Sequence, residues 1–137
     1  MESLRQGEVE AVEVAAGLQF TEGPAWHPDG YLVFSDIPAS TIYRLGQHGL
    51  EIFRQPSGNS NGLTFDPQGR LVACEHGNRR VSITRADGTV APLATHYEGK
   101  RLNSPNDVVV RSDGAVYFTD PPYGVEGDLR ELDFQGV

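Results

Sequence analysis

The sequence predicts an all-β chain: the N-terminal two and a half to three blades of a β-propeller. Three observations carry that prediction. The stretches EGPAWHPDGYLVFSD from Glu22, NGLTFDPQGRLVACE from Asn61 and NDVVVRSDGAVYFTD from Asn106 superimpose without a gap. Their central turn glycines, Gly30, Gly69 and Gly114, recur at spacings of 39 and 45 residues, the length of a four-stranded blade. The runs after these turns are apolar on nearly every residue, as expected for strands covered on both faces.

Taken in order, the alternation of Val9-Glu10-Ala11-Val12-Glu13-Val14 reads as a strand over 9–15. In a propeller such a leading strand can close the last blade. The first blade, about 20–58, turns at Pro28-Asp29-Gly30 and continues through strands at Tyr31 to Phe34, Thr41 to Leu45 and Leu50 to Phe53, with Gln47-His48-Gly49 as the outer turn. The second, about 59–103, turns at Pro67-Gln68-Gly69 and places strands at Leu71 to Ala73, Val81 to Arg85 and Thr89 to Leu93 around Ala86-Asp87-Gly88. The third, 104–137, turns at Ser112-Asp113-Gly114 into Ala115 to Phe118 and is incomplete. Glycine at each turn supplies the positive φ that other residues resist. A propeller of this many blades cannot close and leaves unpaired strand edges. The expectation is therefore a portion of a longer protein, or a chain whose missing blades come from a second chain. The alternative is a small self-contained sheet protein.

Composition narrows the partners. A formal charge of −8 argues against nucleic acid, because phosphate binding needs a basic surface. A single cysteine, Cys74, excludes an internal disulfide and reads as a small buried hydrophobe. The N-terminus shows no signal-peptide pattern, and no run approaches the ~20 apolar residues of a membrane helix. A soluble cytoplasmic protein without a membrane partner is the expectation.

The repeat also creates a candidate site. Eight residues before each glycine stands an oxygen-bearing side chain, Glu22, Asn61 or Asn106; six residues after it stands a carboxylate, Asp36, Glu75 or Asp120. Antiparallel pairing of the first two strands of a blade brings both positions to one rim of the channel. Carboxylate with neutral amide oxygens is a hard-cation ligand set. Glu22 and Asn106 are the candidate ligands, with Asp107 as the group that orients the Asn106 amide. The plainer reading is that these residues cap strand ends and turns. His76, in the loop after Glu75, falls on the same rim as a candidate substrate contact. His27 and His48 read as surface residues, Trp26 as core packing, and Asn78-Arg79-Arg80 as a solvated edge. No phosphate-binding glycine loop, nucleophile elbow or cysteine–histidine metal spacing is present.

TEGPAWHPDGYLVFSDIP, NGLTFDPQGRLVACEHGNRRV and RLNSPNDVVVRSDGAVYFTDPPYG together resemble the N-terminal part of the SMP-30/gluconolactonase/luciferin-regenerating family. The resemblance covers essentially the whole chain. It implies a six-bladed propeller with one divalent cation in the channel: calcium first, with magnesium, manganese or zinc as alternatives. It matches Glu22 and Asn106 to two of the family's metal ligands. It places Asn61, Asn103, Ser104 and His76 where substrate contacts can sit. The implied activity is metal-dependent hydrolysis of a sugar lactone. The catalytic general base, an aspartate, is expected beyond Val137, so no catalytic residue is assigned within the chain. Two other readings stay open: a related propeller esterase or organophosphate hydrolase, and a non-catalytic scaffold.

Overall fold

A computed structural model describes residues 10–136. Two antiparallel four-stranded sheets dominate it. The first is β1 (Thr21–His27), β2 (Tyr31–Asp36), β3 (Thr41–Gly46) and β4 (Gly49–Arg54). The second is β5 (Ser60–Phe65), β6 (Leu71–Glu75), β7 (Arg80–Thr84) and β8 (Val90–Ala94). In both, sequence order is spatial order, which is the meander of a propeller blade. A small hairpin, β9 (His96–Tyr97) with β10 (Lys100–Arg101), follows. The third repeat supplies β11 (Val108–Val110) and β12 (Val116–Phe118). An antiparallel bridge from Asp120 to Gly136 lies beyond them. The fold is that of a partial β-propeller.

The two-faced apolar runs have a direct structural cause. Along β6, successive side chains point to opposite faces. Leu71 and Ala73 join Val33, Ile42 and Leu63 in a core between the first and second sheets. Val72 and Cys74 join Val81 and Val108 in a second core toward the third hairpin. Each residue of β6 is therefore buried, whichever way it points. Burial of a Val or Ile side chain is worth about 1.5–3 kcal/mol, so a strand shared by two cores anchors both.

The 39-against-45 spacing is also explained. The segment holding β9 and β10 leaves the second sheet and returns, with Leu102 N donating to Thr95 O at 3.1 Å. Residues 96–101 are the extra length, inserted without disturbing the repeat on either side. This hairpin carries no alternating apolar pattern, so the sequence reading passed over it.

Several expectations need correction. Residues 10–16, the described part of the leading segment, form no strand, and Val12 and Val14 are exposed; Val9 lies outside the described residues. Trp26 is 65 % exposed rather than core. It alternates with Ala25, which packs on the first core, and so it borders the open channel. His27 is buried, not superficial. It stacks on Tyr31 at 4.5 Å and meets Phe65 edge-on at 4.6 Å, in space left by the absent side chain of Gly69. The Asn78-Arg79-Arg80 run is no solvated edge. Arg79 Nε donates to Leu102 O at 2.7 Å, tying the second sheet to the segment leading into β11. Arg80 binds Glu75.

Candidate metal and substrate site

Three inner strands begin close together at one end of the channel, and glycine makes this possible. Gly23 follows Glu22 and Gly62 follows Asn61. A Cβ at Gly23 would stand 2.1 Å from Asn61 O, and one at Gly62 would stand 2.6 Å from Asn106 O. Backbone lies against backbone here, and Gly62 N donates to Asn106 O at 2.7 Å. Gly23 also takes φ +59°, a left-handed conformation that disfavours side chains. Register breaks between Glu22 and Ala25, and between Ser60 and Leu63, loosen the pairing at these strand starts.

The junction frames an open cavity of about 250 Å³ lined by Glu22, Asn61, Asn106 and Asp107 together with Gly23, Pro24, Gly62 and Leu63. Glu22 is exposed, and among the described residues its carboxylate accepts only from the neighbouring Gly23 N, at 3.3 Å. Asn106 Oδ1 accepts from Asn61 Nδ2 at 2.8 Å. His76 sits beside both amides, with its Nε2 3.4 Å from Asn61 Nδ2. Burial pushes the His76 imidazole below its usual value, with the Asn106 amide pulling weakly the other way. A neutral ring at pH 7 follows.

Two carboxylates and two amides line this cavity, and among the described residues no lysine or arginine does. An excess of hard oxygen donors without a counter-charge suits a divalent cation. Among the described residues no cluster of three or more His, Cys, Asp and Glu side chains is gathered for a metal. Any cation here would therefore rely on amide oxygens, or on donors from outside these residues, as well as on Glu22.

Comparison with known proteins bears on the same residues. The family model described as SMP-30/Gluconolactonase/LRE-like region matches residues 20–132. The chain belongs to that family. The gluconolactonase of Zymomonas mobilis is 37 % identical over 147 residues, covering 90 % of this chain and 40 % of that protein. A Xanthomonas campestris protein, described as a gluconolactonase important in glucose secondary metabolic pathways, superimposes with TM-score 0.79 at 38 % identity, covering 86 % of this chain and 42 % of its own. A structural-genomics target provisionally assigned as a gluconolactonase gives TM-score 0.81 at 35 % identity, covering 89 % and 45 % respectively. The chain thus spans less than half the length of these relatives. Virginiamycin B lyase of Staphylococcus aureus, at 21 % identity and TM-score 0.63, shares the fold alone.

In this SMP-30/gluconolactonase-like chain the remaining sequence candidates are engaged by the surrounding chain. Asp107 lines the cavity, but its Oδ1 accepts from Val108 N at 2.9 Å; the group holding the Asn106 amide is Asn61. Asn103 is fully buried and donates through Nδ2 to Asp120 O and Phe134 O. Ser104 is equally buried; its Oγ donates to Pro121 O at 2.6 Å and accepts from Gly124 N at 2.8 Å. Both hold the chain around the third hairpin.

The three carboxylates six residues after the turn glycines are buried staples instead of rim ligands. Asp36 accepts from Gln19 N and Phe20 N at 3.0 and 3.1 Å, and Asp120 accepts from Asn103 N at 2.8 Å. Each spans seventeen residues back to the segment entering its own repeat. Burial raises the Asp120 carboxyl, against the pull of the Asn103 hydrogen bond. At the equivalent place Glu75 lies against Gly58 and binds Arg54, Arg80, Asn78 and Ser82. Burial alone would raise Glu75; the bonds from Arg80, Asn78 and Ser82 and the charge of Arg54 outweigh it and hold the carboxyl below its usual value.

Proposed function

We propose that the chain carries part of the site of a gluconolactonase-like, divalent-cation-dependent hydrolase acting on a sugar lactone. The observation that carries this reading is the convergence of Glu22, Asn61, Asn106 and Asp107 on one cavity with no basic side chain among the described residues. Family membership supports the substrate class. Glu22 and Asn106 are the residues that would hold the cation, calcium before magnesium, manganese or zinc. When bound, such an ion polarises a lactone carbonyl or lowers the pKa of a water.

The chain's own residues orient and exclude. Asn61 pins Asn106 Oδ1, so one ligand oxygen is fixed in direction before any ion arrives. Gly23 and Gly62 keep the strand starts close enough for the four polar side chains to share a single cavity. Trp26 and Pro24 border the channel below and offer apolar surface to the carbon face of a sugar ring. No residue here is assigned as general base, which this reading places on a later blade. A second chain is the alternative source of those blades.

Calorimetric titration of the chain with calcium tests the reading. Weak saturable binding is expected, with a dissociation constant on the order of 10⁻⁴–10⁻³ M. Glu22→Gln should lower the affinity at least about tenfold, because the substitution removes the charged donor. In a protein that also supplies the later blades, acid release from gluconolactone should be lower with Glu22→Gln than with Glu22 intact, and abolished by chelator. Equal binding in the two proteins would exclude a cation at Glu22, and equal acid release would exclude a catalytic one.

A further inference from the structure

We propose that His76 is a positioning residue for the rim: its Nε2 accepts from the Asn61 amide and so decides which way the paired Asn61 and Asn106 amides face. This rests on the cation reading above only for its consequence; the hydrogen-bond relay stands on its own geometry. Asn61 Nδ2 lies 2.8 Å from Asn106 Oδ1 and 3.4 Å from His76 Nε2. An amide NH2 has two hydrogens to give and nothing to accept with. With Asn106 Oδ1 on one side and, when its Nε2 carries no proton, His76 on the other, both hydrogens are engaged. The Asn61 carbonyl oxygen is then the group left for the cavity that Asn61 lines.

The tautomer of His76 sets this arrangement. With the ring proton on Nδ1, Nε2 is a lone-pair acceptor and Asn61 must point its nitrogen at it. With the proton on Nε2, the ring becomes a donor there. Asn61 would then turn over, offering oxygen to His76 and NH2 to the cavity, and Asn106 would turn with it, because two amide oxygens cannot pair at 2.8 Å. An NH2 among the oxygens of Glu22, Asn106 and Asp107 would replace a cation-binding group with a cation-repelling one. One ring proton, on a residue outside the cavity lining, thus selects whether the rim presents four side chains' worth of oxygen or three with an amide NH2 among them.

The ring is held for this task. Gly124 lies directly behind it: a Cβ there would stand 3.2 Å from His76 Cβ and 3.1 Å from Ser104 Cβ. Ser104 pins that loop through its bonds to Pro121 O and Gly124 N. The His76 peptide is fixed as well, its N donating to Asn59 O at 3.3 Å and its O accepting from Arg79 N at 3.1 Å. Ser104, Gly124, His76, Asn61 and Asn106 therefore form one line of contact, from the Pro121-Pro122-Tyr123-Gly124 loop to the rim. Ser104 and His76, both read from the sequence as substrate contacts, act in this line as supports.

Long-range 1H–15N spectra of the ion-free chain read the relay directly. The expected result is the Nδ1–H tautomer at His76, with both Asn61 side-chain amide protons shifted from exposed-amide values. His76→Leu should return those protons to exposed values and lower calcium affinity about tenfold, the usual cost of losing a partner behind a metal ligand. His76→Gln, whose Oε1 can accept as Nε2 does, should keep the affinity within about threefold of the unaltered chain. Backbone amide shifts of Val33 and Leu71 report whether each variant keeps its fold. An Nε2–H tautomer overturns the proposal, as does an Asn61 amide unmoved by His76→Leu in a folded variant. So does equal damage from His76→Gln and His76→Leu. If the tautomer and amide shifts come out as expected but calcium does not bind, the relay stands and the cation reading falls.

Discussion

Glu75→Gln should destabilise the chain by about 3–5 kcal/mol, the usual cost of leaving buried charge unpaired. Glu75 is 1 % exposed and meets Arg54 Nη2 at 3.1 Å and Arg80 Nε at 2.6 Å. Arg54 is on β4 of the first sheet, whereas Glu75 and Arg80 are on the second. The carboxylate therefore joins two blades across their junction. Arg54 already has buried Nε and Nη1 atoms without partners among the described residues. Neutralising Glu75 leaves that guanidinium without a charged partner among the described residues, with neutral acceptors such as Ser57 O, at 3.1 Å, in its place. Urea denaturation midpoints check this, with Asp87→Asn in an exposed turn as the control that should not move. A loss below about 1 kcal/mol would place the cluster with ordinary surface ion pairs. Replacing Arg54 by Met together with Glu75→Gln should recover part of the loss, since fewer unpaired charges then stay buried.

The same residue gives the chain an acid dependence of known sign. Glu75 is held below its usual value in the folded state. Its stabilisation is thus complete above the unfolded-state pKa of about 4.3 and is lost as pH falls through the lower folded value. Asp120 is shifted the other way. Its contribution is largest below the unfolded value of about 3.9 and declines as pH rises through the raised folded one. Between about pH 5 and pH 3 the two oppose each other. Removing Glu75 should flatten the acid loss, and Asp120→Asn should steepen it. Denaturation midpoints measured across that range separate the two slopes.

How far the sequence could be read follows from what each kind of residue encodes. Turn glycines and apolar runs specify backbone conformation and burial, which are local, so the meander and the shared strand β6 were legible. Oxygen-bearing side chains are ambiguous, because an asparagine or carboxylate in register serves equally as a ligand or as a staple. The register correctly brought Glu22, Asn61 and Asn106 to one rim. It could not show that Asp36 and Asp120 reach back into the chain, because their partners are backbone N–H groups, which leave no mark in a sequence, nor that Glu75 is claimed by the side chains of Arg54, Arg80, Asn78 and Ser82. His27 was misread for a related reason. A histidine beside a turn looks solvated until Phe65, from the next repeat, covers it. One usable signal was passed over: Gly23 and Gly62 both follow the oxygen donor in their repeats, a position where close backbone approach calls for glycine.

That signal carries the second large effect. Gly23→Ala should cost about 3 kcal/mol, combining a left-handed φ that disfavours a side chain with overpacking against rigid backbone. The added methyl would meet Asn61 O at 2.1 Å, and backbone atoms cannot swing aside as a side chain can. Relief requires β1 and β5 to separate at their starts, where Glu22 and Asn61 enter the shared cavity. Stability and binding should therefore fall together. At temperatures where the variant remains folded, calcium affinity should drop by more than the tenfold expected for His76→Leu, because the whole donor set spreads instead of one amide turning. Gly30→Ala is the matched comparison. Its φ of +86° is equally left-handed, but a Cβ there meets nothing within 4 Å. It should lose about 1 kcal/mol from conformation alone and bind calcium unchanged. If Gly23→Ala and Gly30→Ala lose the same stability, backbone conformation explains both, and the close approach at the rim contributes nothing. If instead Gly23→Ala alone weakens calcium binding, the tight junction of the inner strands is what assembles the site.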